Sequence, residues 1–385
     1  MVVRKASAPL GPEGRAAPAP VVDGLEPART EAPSSPEHLA RLLCEAATAG
    51  QAVVPVGGGR LLGVGDPLER FDLALETQRL NRVLDASQAD MVVTVEAGAT
   101  LEQLNEELAQ GGQFVPLDPM GGPGHTIGGL LATGLSGPLR LRYGSARDNL
   151  IGLRVALPDG KLARSGGKVV KNVSGYDMNK LHLGALGALG VIVEAAFKVY
   201  PLPLHELTLS RQARDPEAAW DEVARALGSK MQPVALVLEG GRAHARLAGS
   251  RAAVERVAAE LGWDEGEPGF WKTLSERRSD AWARISVPDD SLRDVLGGLP
   301  EDAQWIAYPG LGTAHWMNAA TADSIGSARE AAEAASGSLV LVSAPVELKR
   351  KVGAWGRRPP TADLMSSIRD AFDPGRSISP GRFLV

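Results

Sequence analysis

Apolar and polar positions alternate along the first half of the chain in short, well-punctuated runs. Ser34–Gly50 carries apolar residues at helical spacing, which predicts a helix with Ser35 as N-cap, Pro36 at its first position and Gly50 closing it. A short apolar strand, Ala52–Val56, runs straight into Gly57-Gly58-Gly59, and Phe71–Leu75 and Met91–Val95 are further strand candidates. Thr100 is placed to cap a helix over Leu101–Ala109 that ends at Gly111-Gly112. Leu150–Leu157 and Lys161–Ser165 flank Pro158-Asp159-Gly160 and predict a hairpin. A helical stretch near Asp177–Leu186 then leads to a strong strand, Val191–Val199, stopped by Pro201 and Pro203.

The second half changes rhythm. Strand Leu207–Ser210 precedes helix Glu217–Leu227, strands Val234–Leu238 and Ala243–Ala248 around Gly240-Gly241, and helix Ala252–Leu261. A similar alternation follows through Ala283–Val287, Ser291–Leu296, Trp305–Tyr308, a strand through His315–Met317, Ala328–Ala335 and Leu339–Val342. Two approximate strand–helix–strand–strand–helix passes predict an α+β domain of split βαβ, ferredoxin-like character, with its boundary near Pro201–Glu206.

With 385 residues, two domains are the natural expectation. A composition of 44% hydrophobic and 23% charged residues is ordinary for globular protein, and the net charge of −5 argues against a nucleic-acid partner. The basic stretch Lys349–Lys351 and the pair Arg357, Arg358 read as solvated surface. Cys44 is the only cysteine, so an intrachain disulfide, an iron–sulfur cluster and a thiolate-rich zinc site are all excluded, and no metal is expected. No run reaches the roughly 18 apolar residues of a spanning helix. Residues 1–32, rich in Ala, Pro and Gly, read as a disordered leader.

Two glycine clusters carry the chemistry. Glycines directly after a strand let consecutive backbone N–H groups grip a diphosphate, because the chain can turn sharply and no Cβ blocks approach. Gly57-Gly58-Gly59-Arg60 is placed that way, although such a turn is often only a turn. Its spacing to Gly63 misses the nicotinamide fingerprint by one residue, and Gly65-Asp66-Pro67 interrupts the helix that fingerprint needs. The second cluster runs from Pro119-Met120-Gly121-Gly122 through Thr126-Ile127-Gly128-Gly129 to Gly137-Pro138. Two cradles about 65 residues apart suit a long, bent cofactor with a diphosphate at its middle.

Over about residues 34–204 the chain resembles the FAD-binding domain of the vanillyl-alcohol oxidase superfamily, also called the p-cresol methylhydroxylase type. Four ordered blocks carry the resemblance: Pro55-Val56-Gly57-Gly58-Gly59, Val93-Thr94-Val95-Glu96-Ala97-Gly98, Thr126-Ile127-Gly128-Gly129 and Gly187-Ala188-Leu189-Gly190-Val191-Ile192. Within it the chain is similar to the FAD-binding subunits of glycolate oxidase. The narrowing features are Gly134-Leu135-Ser136-Gly137-Pro138, Lys171-Asn172-Val173-Ser174-Gly175-Tyr176-Asp177, and Phe372-Asp373-Pro374-Gly375 leading into Pro380-Gly381-Arg382.

The resemblance implies a two-lobed FAD-binding domain over 33–204, a cap over 205–345, and a final segment, 346–385, returning to the FAD domain. It implies that Gly57, Gly58, Gly59, Arg60 and Leu61, with Thr126, Ile127, Gly128 and Gly129, hold the diphosphate. Ala132, Ser136 and Gly137 are expected on the ribityl and flavin side, Val191 and Ile192 at the adenine end through backbone atoms, and Val56 and Pro119 as further cofactor contacts. Arg60 stands where some relatives carry a histidine linked covalently to flavin, so the FAD is expected to be non-covalent. The partners implied are a larger FAD-linked subunit and an iron–sulfur subunit. The expected location is cytoplasmic, or peripheral on the inner face of a membrane through those partners.

Oxidising a 2-hydroxy acid such as glycolate needs a base, a cationic anchor for the carboxylate and a flavin to accept hydride. The Gly-Glu-His-Gly block of related catalytic flavoproteins is missing. No catalytic residue is assigned; His315, in Gly312-Thr313-Ala314-His315-Trp316, is the candidate, with a core position as the alternative. Arg140, Arg142 and Arg147 could anchor a carboxylate, contact another subunit or form surface salt bridges. Three functions stay open: an FAD-binding subunit of a glycolate dehydrogenase complex, a self-sufficient flavin oxidoreductase for another small hydroxylated substrate, and a non-catalytic assembly subunit.

Overall fold

The computed structural model describes the backbone of residues 4–5 and all of residues 19–167 and 177–385. The Lys171–Tyr176 part of the narrowing block lies outside the described residues. In chain order, β1 (Arg4–Lys5), β2 (Arg29–Glu31), α1 (Pro36–Thr48), β3 (Val53–Val56), β4 (Leu73–Glu76), β5 (Val83–Ser87), β6 (Val92–Glu96), α2 (Leu101–Ala109) and β7 (Gln113–Phe114) lead to α3 (Ile127–Thr133). The short helices α4 (Arg140–Tyr143) and α5 (Ala146–Asn149), the hairpin β8 (Leu150–Ala156) and β9 (Leu162–Gly166), α6 (Asn179–His182), β10 (Val191–Lys198) and β11 (Tyr200–Pro201) complete the first half.

These elements form two lobes. β2, β4 and β3 make a three-stranded parallel sheet, while β1-β5-β6-β10-β8-β9 make a six-stranded antiparallel one. The apolar face of α1 (Leu39, Leu42, Leu43, Ala46) joins them by packing on Val53, Leu73 and Leu75 and on Ala156, Val191 and Val193. The expected caps form: the Ser35 hydroxyl accepts from the His38 amide, and Thr100 with Gln103 makes a capping box.

Among the helices not anticipated, α3 bears most on the site. Gly128 and Gly129 are poor helix formers, yet α3 forms because Thr126 caps it and the Gly128 amide donates to Ala97 O at 2.7 Å. A Cβ at Gly128 would sit 3.1 Å from Ala97 Cβ, so its glycine serves close packing.

The leader also needs correction. Arg29–Glu31 pairs with β4 as an edge strand, Val22 is buried, and Asp23 forms a buried ion pair with Arg382 at 2.7 Å. The partner that orders this stretch lies over 350 positions away, so composition gives no sign of it.

The second half runs β12 (His205–Gln212), α7 (Pro216–Leu227), β13 (Ala235–Glu239), β14 (Arg242–Gly249), α8 (Arg251–Leu261), β15 (Asp264–Glu265) and α9 (Phe270–Glu276). It continues as β16 (Trp282–Ser286), α10 (Leu292–Gly297), β17 (Trp305–Tyr308), β18 (Thr313–Trp316), α11 (Ala322–Ala334) and β19 (Ser338–Ser343). A single antiparallel sheet results, ordered β15-β12-β14-β13-β17-β18-β16-β19. Each half shows the order of a split βαβ unit, and the halves join where β13 pairs with β17. Helices cover one face, over Ala283, Ile285, Ala314, Trp316, Leu339 and Leu341. Because side chains alternate along strands, Trp282, Arg284, Thr313, His315, Val340 and Val342 point from the other face toward the first half.

After β19 come α12 (Val346–Val352) and α13 (Ala362–Phe372). The chain then returns to the parallel lobe, where Val53 donates to Ser377 O and accepts from the Ser379 amide, both at 2.8 Å. No helix among the described residues is long and apolar enough to cross a membrane.

Candidate functional site

The two glycine clusters meet. Gly58 N donates to Thr126 Oγ1 at 3.4 Å, and a Cβ at Gly58 would lie 1.8 Å from the Gly124 carbonyl oxygen. A Cβ at Gly57 would lie 2.1 Å from Thr126 Oγ1. The loop 124–128 is in turn stitched to 97–101 by Leu101 N to His125 O and Ile127 N to Ala99 O, both 2.9 Å. On its other side Gly98 admits the 77–80 turn, since a Cβ there would be 1.9 Å from Thr77 O. Two of the resemblance blocks therefore serve mutual contact of backbones.

A cleft opens over this junction. Of the residues expected to touch cofactor, Gly57, Gly58, Gly59, Arg60, Leu61, Thr126, Gly129 and Ala132 line it. Gly59 has φ +72° and no heavy atom within 4 Å of a built Cβ, so its bare Cα is open to a ligand. Ser136 lines a second, larger cleft instead. Val56, Pro119, Ile127, Gly128, Gly137, Val191 and Ile192 line neither of these two clefts. The Val191 and Ile192 side chains are buried on opposite faces of the six-stranded sheet, leaving only their backbone for the adenine role.

Several lining residues escaped sequence reasoning. Thr133, Leu186, Ser379 and Arg382 join the first cleft, the last two from the C-terminal tail. Arg382 is buried, paired with Asp23, and donates to Asp66 O at 2.8 Å. The signal was the Pro380-Gly381-Arg382 turn, whose value lay in its distant partners. Arg60 is exposed at the rim and Arg382 is buried, so two cations flank the glycine junction.

Val64 and Thr133 line both clefts and connect them. The second cleft lies between α3–α6 and the uncovered face of the large sheet. Arg140, Arg147, Lys180 and Arg284 line it, and no carboxylate or imidazole does so among the described residues. Lys180 pairs with Asp177 at 2.9 Å. Arg284 is half-buried, and its Nε has no partner among the described residues. Burial, and then the Arg140 charge, push its guanidinium below the usual arginine range. Arg142 does not line the cleft.

His315 lies behind that cleft, 2% exposed. Its Nδ1 accepts from Trp282 Nε1 at 2.9 Å, which places any proton on Nε2, an atom with no partner. Burial pulls it down to about 3, so it is a neutral core imidazole. His125 is also buried, with Nε2 3.2 Å from Met120 O, and burial lowers it too.

The chain matches the FAD binding domain family over residues 27–166. It is 31% identical to "Glycolate oxidase subunit GlcE" of Escherichia coli (strain K12) over 315 residues, covering 78% of this chain and 84% of that protein. The chain belongs to the GlcE family of glycolate oxidase subunits. It is also 36% identical to the mitochondrial "D-lactate dehydrogenase [cytochrome]" of Arabidopsis thaliana over 175 residues, 46% of this chain and 30% of that one. An alkyldihydroxyacetonephosphate synthase structure superposes with TM-score 0.65 at 18% identity, covering 91% of this chain and 75% of that one, and shares the fold. For a GlcE-family chain the first cleft, with its bare glycine and two flanking cations, has the chemistry a dinucleotide diphosphate requires.

Three buried histidines set an acid limit. Burial holds His182 and His244 down to about 4 and His315 down to about 3. Their folded values lie below the unfolded one near 6.5, so the unfolded chain binds more protons at low pH. Stability should be complete above about pH 6.5 and fall as pH drops toward about 4. Denaturant titrations across this range check it, and His315→Gln should remove about one proton from the slope.

Proposed function

We propose that this chain binds FAD non-covalently across the two connected clefts and takes part in oxidising a small 2-hydroxy acid within a multi-subunit glycolate oxidase. The observation that carries it is the convergence of Gly57–Leu61 and Gly124–Gly129 on one cleft that opens, past Val64 and Thr133, into a cationic one. Bound there, FAD would supply the acceptor for the substrate's hydride. Backbone amides of the glycine loops, with Arg60 and Arg382, would hold its diphosphate; Arg60 in place of histidine leaves the cofactor free to dissociate. Arg284 and Arg140 are placed to hold the substrate carboxylate, where Arg284 Nε has no partner among the described residues and an anion would offset the cost of its buried charge.

The second-half sheet acts as the cap over the flavin, with its boundary near residue 204. Electrons leave through partners, the larger FAD-linked subunit and an iron–sulfur subunit, because a single cysteine cannot hold a cluster. Those partners would carry any attachment to the inner face of a membrane.

A second reading has its own support. With no carboxylate or imidazole among the described residues lining the second cleft, the chain would bind FAD and an anion as an assembly subunit and leave proton abstraction to a partner. Adding glycolate to the purified chain and to the assembled complex separates the two. Flavin bleaching in the chain alone supports the catalytic reading. Ligand-induced spectral shifts without bleaching, with activity only in the complex, support the second. A chain that takes up no FAD overturns both.

A further inference from the structure

The basic run Lys349–Lys351, expected on the surface, is split by the structure. Lys349 is 1% exposed, whereas Arg350 and Lys351 are exposed. A lysine is almost never fully buried unless something holds its charge. Its Nζ donates to Gly65 O at 3.0 Å and, more closely, to Gly63 O. Among the described residues no carboxylate pairs with it directly; the charges facing it are Asp23, Asp66 and Arg382. Asp23 is engaged by Arg382 and by the Leu68 amide, and Asp66 by the Ala354 amide at 2.6 Å. Arg329, on α11, also faces Asp66.

The carbonyls that Lys349 holds belong to the loop directly after the glycine turn. Leu61, Leu62 and Val64 of that loop line the first cleft, and Val64 lines the second as well. The loop has few other ties: Asp66 exchanges hydrogen bonds with Arg382 and accepts from the Ala354 amide, and Val64 N donates to Leu61 O. Lys349 reaches it from α12, whose downstream Trp355 lines the second cleft and donates to Arg382 O at 3.3 Å. The buried ammonium, together with the Ala354 amide, therefore ties the cofactor rim to the segment that follows the large sheet.

We propose that Lys349 is a positioning residue for the cofactor: it holds the 61–66 loop in the shape that closes the diphosphate cleft and adds positive charge beside it. This rests on the FAD reading of that cleft. A buried ammonium donating to two carbonyls orients both, and an anion bound nearby recovers part of the cost of burying the charge.

The charge makes the role distinguishable from simple tethering. Burial lowers Lys349 to about 8. Its folded value lies below the unfolded one near 10.4, so fold stability should rise as pH passes above about 8. FAD affinity should move the other way, because a bound dianion favours the protonated amine. A purely structural lysine would move only the first of these.

The test measures FAD affinity by flavin fluorescence, and amide hydrogen exchange without FAD, for wild type, Lys349→Met and Lys349→Gln. At about pH 7.5, Lys349→Met should bind FAD about tenfold more weakly, and amides of residues 61–66 should exchange faster. Wild-type affinity should fall about threefold by about pH 9.5, with flat profiles in both variants. Lys349→Gln keeps a donor without the charge, so it should fold and still show the flat profile. If both variants bind FAD as wild type does, or keep its pH profile, the proposal is overturned alone. A wild type that takes up no FAD overturns the cofactor reading and this proposal together.

Discussion

Gly58→Ala protein should emerge from purification without flavin and bind added FAD at least about 30-fold more weakly than wild type. A methyl group at this position would lie 1.8 Å from the Gly124 carbonyl oxygen and 3.1 Å from its carbon. Neither belongs to a flexible side chain, so the two loops must separate. Overpacking of this kind costs about 1–3 kcal/mol, and here the displacement acts directly on the amides that would grip the diphosphate. Gly326→Ala, on α11 away from the clefts, is the matched control, because a Cβ there meets nothing within 4 Å. The comparison needs only the flavin absorbance of the purified proteins and a titration. A Gly58→Ala protein that is as yellow as wild type would show that the junction is not the cofactor's seat.

Arg284→Met should lower kcat/KM for glycolate in the assembled complex by about 30-fold to about 5,000-fold, while leaving the fold as stable as before or more so. The two signs come from one fact. Arg284 is half-buried with an unpartnered Nε, and Arg140 is the charge that acts on it. Without ligand, its charge is a desolvation cost that methionine removes. With a carboxylate in place, the same charge makes a desolvated ion pair, and truncating one partner of such a pair costs about 2–5 kcal/mol. Steady-state kinetics and a thermal melt on the same preparation read both. An unchanged KM would show that the carboxylate is anchored elsewhere, with Arg147 the next residue to substitute. Lower stability together with unchanged kinetics would make Arg284 a structural residue.

The contrast between Lys349 and its neighbours explains part of what sequence reading missed. Three basic residues in a row look alike as composition, but a helix turns 100° per residue, so only one of them faces the 61–66 loop. Arg284 was equally silent, because a lone arginine in a strand acquires meaning only from what lies across the cleft. His315 drew attention as a histidine in a late strand of the second half. Its strand register against Trp305–Tyr308 and Trp282–Ser286 instead places it among Trp282 and Tyr308.

What the amino-acid order determined by itself was local and periodic. It set the capped helices Pro36–Thr48 and Leu101–Ala109, the hairpin around Pro158-Asp159-Gly160, and the two strand–helix–strand–strand–helix passes of the second half. It also marked the glycines, since a residue without Cβ is costly unless something must come close. Tertiary structure alone decided what came close: Gly124 for Gly58, Ala97 for Gly128, Asp118 for Gly137. It likewise decided that Asp23 meets Arg382 and that Lys349 meets Gly65. Turns, caps and alternation depend on neighbours a few residues away. The clefts and their charges depend on partners up to several hundred residues apart, which the folded chain must first bring together.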